Sequence, residues 1–255
     1  MNYKIFLIFV VVTCCSCNYS KEVIQVDGAM EGTIPKGAFV TYIEKNKIEL
    51  GDVVLFNFRG DGVSSMPKRI LRVVGMPGDT LEIRNGNIYI NQDILSNPRY
   101  TKFTYYIRAK GEVRNSILAN RYYRQISQLE YLVGLSDDEL PEVRSSLEID
   151  SISLFVTDSA YEEKHIIKDR SFKYFNSHFL GPVIIPRKGD LFSRYTSSIS
   201  PAYSSIINQG GIVSSNCYFL MGDNRFFCYD SKYLGVIPES DIIGIIDSVS
   251  MNRIR

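Results

Sequence analysis

The stretch Met221-Gly222-Asp223-Asn224-Arg225, with Asp230-Ser231-Lys232 and Gly235-Val236-Ile237-Pro238 just after it, gathers a turn glycine, two carboxylates, a guanidinium and an amine in one short run. Glycine tolerates positive φ, and Asp and Asn bond to nearby backbone, so the run reads as a rigid, hydrogen-bonded corner. A charge pair between Asp230 and Arg225 is expected to lock it. Other groups able to do chemistry are the hydroxyls of Thr33, Ser64 and Ser65, the amines of Lys36 and Lys68, the imidazoles of His165 and His178, and the Cys228 thiol. A nucleophile needs a base within hydrogen-bond reach, and the spacing pairs none of these. Ser and Lys are common in surface loops, the histidines suit ordinary surface or core roles, and Cys228 has no evident base. There is no metal-ligand cluster and no phosphate loop, so neither metal nor cofactor is expected.

The elements that must position these groups are strands. The 255 residues include 17 Tyr and 14 Phe, many in alternating runs that favour β-structure. The net charge of +1 gives no reason to expect nucleic acid. From Val23 to Asn91 strand follows strand: Val23–Val26, Ala38–Tyr42, Val53–Phe58 after Gly51-Asp52, and Arg69–Val74 running into the turn Gly75–Asp79. Thr80–Arg84 and Ile88–Ile90 read as a hairpin about Asn85-Gly86. Between about Leu95 and Leu180 the character changes. Asn115–Gln128 reads as a helix, Gln128–Val133 as a strand, Ser136–Glu139 as a capping box opening a short helix with Pro141 in its first turn, and Ile152–Val156 as a strand. The β pattern resumes at Gly181–Pro186 and leads through Tyr218–Leu220 to the corner.

The N-terminus reads as an export signal. Lys4 precedes the apolar run Ile5–Val12, which ends in Thr13-Cys14-Cys15-Ser16-Cys17 and falls short of the roughly 20 apolar residues of a membrane-spanning helix. Ser16-Cys17 looks like a lipobox that would make Cys17 the lipidated first residue of the mature chain. Cys14 or Cys15 is the alternative lipid site, and an uncleaved anchor the alternative to a lipoprotein. Each option puts the body outside the cytoplasm at a membrane surface, in the cell envelope. There Cys217 and Cys228 stand either as a disulfide or as two separate thiols.

Several segments, in order, resemble boxes of the type I signal peptidases, membrane-bound serine proteases with a Ser-Lys dyad. Gly51–Phe56 resembles a core-strand box, Arg72–Asp79 the box that follows the general base, and Met221–Lys232 the last box. The family's nucleophile lies in a Ser-Met-x-Pro-Thr segment, matched here by Ala29-Met30-Glu31-Gly32-Thr33. Its base stands four residues before the first glycine of Arg-x-x-Gly-x-Pro-Gly-Asp, matched here by Leu71. Both dyad positions therefore lack their chemistry. Lys68-Arg69 imitates the family's Lys-Arg pair three residues too early, and an odd offset turns a strand side chain to the other face. In the last box Cys228 stands where a serine is common and Lys232 where an Arg is usual.

The resemblance implies a mainly β fold: a signal-peptidase-like β-barrel or antiparallel sheet core from residues 18–94 and 181–255, a lipoprotein-type signal over 1–17, and a small α/β subdomain inserted over 95–180. It implies a groove at Gly28, Met30, Ile70 and Arg72, walled by strands 24–28 and 66–72, that takes an extended peptide or pre-protein by strand addition. Gly222, Asp223, Asn224, Arg225, Cys228, Asp230, Ser231 and Lys232 are the structural signature. The expected function is that of a non-catalytic, lipid-anchored protein binding an extended peptide or a membrane-protein partner. The alternatives are an active signal peptidase with non-standard groups and a structural component of a surface assembly.

Overall fold

Alternating apolar residues build three antiparallel sheets in the computed structural model, which describes residues 21–24, 27–44, 47–59, 67–111, 113, 117–161, 163, 166, 174–194, 206 and 210–251. The largest sheet has seven strands, numbered along the chain. Their order across the sheet is β1 (Lys21–Ile24), β2 (Phe39–Glu44), β16 (Ile242–Ser250), β3 (Val53–Asn57), β4 (Lys68–Gly75), β14 (Cys217–Met221) and β15 (Ile237–Pro238). The late strand β16 lies between β2 and β3, tying the end of the chain to its beginning. The central strands of this sheet carry near-continuous buried apolar runs, as in Val54-Leu55-Phe56 and the five residues of β14. Val54, Leu55 and Phe56 pack into one cluster with Ala29, Met30, Val40, Leu71, Tyr218 and Leu220, while the other face of β14 turns to a second cluster.

The second sheet runs β12 (Tyr174–Asn176), β13 (Phe179–Ile184), β5 (Thr80–Arg84), β6 (Asn87–Ile90), β7 (Asp93–Ile94). The expected hairpin is its heart: Asn85-Gly86 make the turn, with Asn85 at φ 52°, the left-handed geometry that two-residue hairpins require. Leu81, Ile83 and Ile88 face Val74, Phe219 and Val183 in a second core cluster. The third sheet, β11 (Ile149–Leu154), β8 (Phe103–Ala109), β10 (Glu130–Leu135), β9 (Tyr123–Gln125), encloses its own core around Ile107, Tyr131 and Val133.

No helix forms over residues 117–128, the described part of the helix expected over Asn115–Gln128. Residues 117–120 make a turn in which Asn120 has φ 63°, and Tyr123–Gln125 pair with Tyr131–Val133. Partnership with β10 outweighs a weak helical preference in a run carrying two tyrosines. Only half of the capping box forms: Glu139 accepts from the Ser136 backbone N–H (2.9 Å) and hydroxyl (3.1 Å), but the Glu139 N–H bonds the Ser136 carbonyl instead of its hydroxyl, and α1 (Leu140–Ser145) follows from N-cap Glu139 with Pro141 in its first turn. The strands expected over 128–133 and 152–156 lie at 130–135 and 149–154. Cys217 and Cys228 are two free thiols, one inside the second core and the other beside the corner. Cys17, Ser64, Ser65, Met66 and His165 lie outside the described residues, as does the expected export signal. Among the described residues no helix is long and apolar enough to cross a membrane.

Candidate functional site

The corner after β14 is held by a buried fork. Arg72, on β4, donates through Nε (2.9 Å) and Nη2 (2.6 Å) to the two carboxylate oxygens of Asp223, which is wholly buried, and through Nη1 to the Gly51 carbonyl (2.7 Å). The Thr33 hydroxyl donates to the same carboxylate. Asn224 reaches back to the segment before Thr33, its N–H bonding the Ala29 carbonyl (2.9 Å) and its side-chain amide the Gly28 carbonyl (3.1 Å). Gly222 is needed for close approach rather than for its φ. A Cβ there would sit 2.4 Å from Cys228 Sγ and 2.5 Å from the Ala29 carbonyl oxygen.

The second charge pair differs from expectation. Asp230 binds Lys232, not Arg225: Lys232 Nζ lies 2.7 Å from Asp230 Oδ2, with both side chains buried. The Asp230 carboxylate also accepts from the Lys232 N–H (3.0 Å), capping the single turn α2 (Ser231–Leu234), and the Ser231 hydroxyl accepts from the Leu220 N–H (2.9 Å). A two-residue offset lets Lys232 fold back on the cap, whereas Arg225 is drawn away to Met221 Sδ (3.1 Å) and Asn97 Oδ1 (3.1 Å).

Ala29 and Leu71 share one buried apolar cluster, Leu71 fully covered and Ala29 1 % exposed. Met30 is expected to lie beside a groove, but it is buried in that cluster, its carbonyl accepting from Thr33 and Ile34. Burying its thioether removes apolar surface from water, so it underpins the segment instead of lining open space. Gly32 has φ 105°, which proline's ring cannot adopt.

The β3–β4 register is unbroken from Asn57↔Lys68 to Val53↔Arg72, and Lys68 is exposed at the strand's start. Val73 exchanges backbone bonds with Gly51 and Asp52 on the β3 side, and the Pro67 carbonyl bonds Phe58 there too. By alternation, the backbone groups of Lys68 and Ile70 point the other way. On that side β14 covers only Arg72 to Gly75. Among the described residues, Lys68–Leu71 therefore has an open edge. Near it Arg69 joins Asp27 Oδ2 (3.1 Å) to the Tyr229 carbonyl (2.8 Å), and Asp27 Oδ1 receives the Ala29 N–H (3.0 Å). The Gly28 carbonyl is already occupied, by Asn224 and the Glu31 N–H.

The third sheet clasps the same corner through groups that sequence reasoning missed. The Lys102 N–H donates to the Asp223 carbonyl and its carbonyl accepts from Arg225 N–H, both at 2.8 Å. The Lys102 ammonium lies 3.2 Å from Glu139 and 3.8 Å from Glu31. Burial raises the Glu31 carboxyl above its usual range, against the pull of Lys102. Tyr122 stacks on Phe227 with ring centroids 4.8 Å apart, and its hydroxyl crowds Gly28. These contacts join residues far apart in the chain, and no local motif announces them. Burial holds the Cys228 thiol far above its usual range, protonated and poorly nucleophilic.

A family model described as signal peptidase, peptidase S26, matches residues 2–251. The chain belongs to this family. Among similar proteins are the signal peptidases I of two Buchnera aphidicola strains. The one from subspecies Baizongia pistaciae is 25% identical over 224 residues, covering 82% of this chain and 57% of its own length. The one from Schizaphis graminum is 25% identical over 216 residues, covering 83% and 56%. The chain thus spans little more than half the length of these relatives. A crystal structure of a signal peptidase I from Enterococcus faecalis V583 matches at TM-score 0.33 and 17% identity, over 79% of this chain and 98% of that one.

Beside the family's last box a cavity of about 430 Å³ opens between the second sheet, the third sheet and the corner, with His178 in its wall. His178 Nδ1 accepts from the Thr157 N–H (3.3 Å) and lies 3.0 Å from its hydroxyl. Burial, helped by the nearby Lys232 charge, pushes the imidazole down to about 4 from its ordinary 6.5. Among the described residues no group of His, Cys, Asp or Glu is set to hold a metal.

Two measurements check this electrostatic layout. Asp223→Ala should cost about 3–5 kcal/mol in urea unfolding, because it leaves a mostly buried guanidinium unpaired. Arg99→Ala, at the exposed Arg99–Asp138 pair, should leave the urea midpoint almost unchanged. A depressed histidine pKa contributes stability that is present above 6.5 and lost as pH falls towards about 4. The stability of the wild type relative to His178→Gln should therefore decline across that window; a flat difference would contradict the assignment.

Proposed function

We propose that this chain is a signal-peptidase-like protein of the cell envelope that binds an extended peptide, or an extended segment of a membrane-protein partner, without cleaving it by a Ser-Lys dyad. The observation that carries the reading is the apolar pair at the dyad positions. Ala29 and Leu71 lie in one buried cluster beside a corner whose Arg72–Asp223 fork is in place. Acyl transfer by the family's route needs a nucleophilic oxygen and an amine to take its proton. A methyl and an isobutyl group supply neither, and dyad members act as a unit.

Binding by strand addition needs only an unpaired backbone edge and suitable flanking walls. The Lys68–Leu71 edge of β4, with Gly28 and Arg72 nearby, supplies such a place. Lys68 draws no support as a substitute base, since the unbroken β3–β4 register leaves it exposed while Leu71 fills the buried position. The same reading takes residues 1–17 as a lipoprotein-type signal, Cys17 as the membrane anchor and residues 95–180 as an insertion on the peptidase core.

Purified protein should leave an exported pre-protein uncut in an assay where a working signal peptidase removes its signal. Specific cleavage after a small residue, absent from a mock preparation and abolished by Lys68→Ala, would overturn the reading in favour of an active peptidase with non-standard groups. Restoring Ala29→Ser together with Leu71→Lys should bring weak cleavage at that position.

A further inference from the structure

The cavity of about 430 Å³ beside the corner has no residue of β4 in its wall and plays no part in the reading above. Its size falls within the range of small-ligand sites, roughly 300–1,000 Å³. Aromatic and branched apolar side chains supply much of its wall, among them Phe103, Tyr122, Leu132 and Phe155. Its charged lining is unbalanced, with Arg124, Arg225 and Lys232 against Glu163.

Which of these charges remains free follows from the pairings. Lys232 is neutralised by Asp230 at 2.7 Å, and Asp223 is taken by Arg72 and Thr33. Glu163 is held by the Ser177 hydroxyl at 3.0 Å and the Tyr233 hydroxyl at 3.3 Å. Among the described residues the Arg225 side chain bonds to neutral groups, Met221 Sδ and Asn97, its Nε is buried with no acceptor, and Asp230 and Asp223 attract it without a hydrogen bond. It stands between this cavity and a second one, of about 260 Å³, bounded by Arg72, Leu95 and Asn97. Arg72, Lys232 and Lys102 each sit within ion-pair distance of a carboxylate around the corner, whereas Arg225, a guanidinium at a cavity wall, is bonded to none among the described residues. A desolvated guanidinium gains most from a planar carboxylate.

We infer that this cavity is a second binding site, which takes a carboxylate joined to an aromatic or branched apolar group, the carboxylate facing Arg225 and Arg124 and the apolar part lying among Phe103, Tyr122 and Phe155. Such a group exists both as a small aryl-substituted acid and as the C-terminal residue of a peptide. The neutral His178 in the wall adds no competing charge.

The test uses two probes, N-acetylphenylalanine and the pentapeptide Ala-Ala-Ala-Ala-Phe with a free C-terminus, each beside its C-terminal amide. Binding to the full chain is read by ligand-observed NMR and calorimetry. A carboxylate probe should bind about tenfold or more tightly than its amide, as expected for a charge-assisted bond. Arg225→Gln should erase that preference. Because Arg225 is part of the corner, the exposed Arg124→Glu offers a variant outside it, expected to weaken the acid and spare the amide. Binding of the small acid alone assigns the site to small acids, and binding of both probes extends it to chain ends. Absence of binding by either acid, equal affinity for acid and amide, or indifference to Arg124→Glu would overturn the inference.

Discussion

The Arg72–Asp223 ion pair is the contact on which the arrangement depends. It ties β4 to the loop after β14, and the same carboxylate holds Thr33, which places Ala29 and Gly28 against Asn224. Three stretches distant in sequence are fixed by one buried carboxylate. A buried pair does not necessarily stabilise more than an apolar contact of the same volume would, but removing one partner is costly. Its directional fork sets position: two parallel bonds fix the guanidinium plane, and with it the register of β4 beside the Ala29 segment.

Within that frame, Ala29 and Leu71 are consistent with the apolar surroundings. A lysine at 71 would have to shed its hydration in a cluster of Val, Leu and Ile, a penalty that a catalytic base uses to depress its pKa. Leucine instead gains about 1.5–3 kcal/mol from burial. The corner keeps its shape because backbone bonds and two ion pairs hold it, and neither requires a nucleophile.

Much of the β architecture was legible in the sequence because its signals are local. Alternation marked the strands around Val53–Phe58 and Arg69–Val74, and Asn85-Gly86 marked the hairpin. The Ser136/Glu139 box marked α1. What stayed hidden was set by distant partners. Tyr123–Gln125 became a strand only because β10 lies beside it. Asp230 chose Lys232 over Arg225 because a capped turn folded the lysine back on it. Gly222 was recognisable as special, yet the reason, close packing against Cys228 and the Ala29 carbonyl, needed three dimensions. The clasp from Lys102 and Tyr122 had no sequence signal at all. At the candidate site the two apolar residues could be read by counting from the family's glycine run, whereas the open edge beside them became visible only when β14 was seen to stop at Arg72.

The central claim is that the β4 edge still receives an extended chain where the dyad positions are apolar. Amide hydrogen exchange, with and without an extended peptide carrying small residues, tests it most directly. The backbone groups of Lys68 and Ile70 point to the open edge, so their amides should become markedly slower to exchange when peptide binds, while the amide of Val73, already bonded to Asp52, stays unchanged. Saturating peptide that leaves Lys68 and Ile70 exchanging as before would contradict the account.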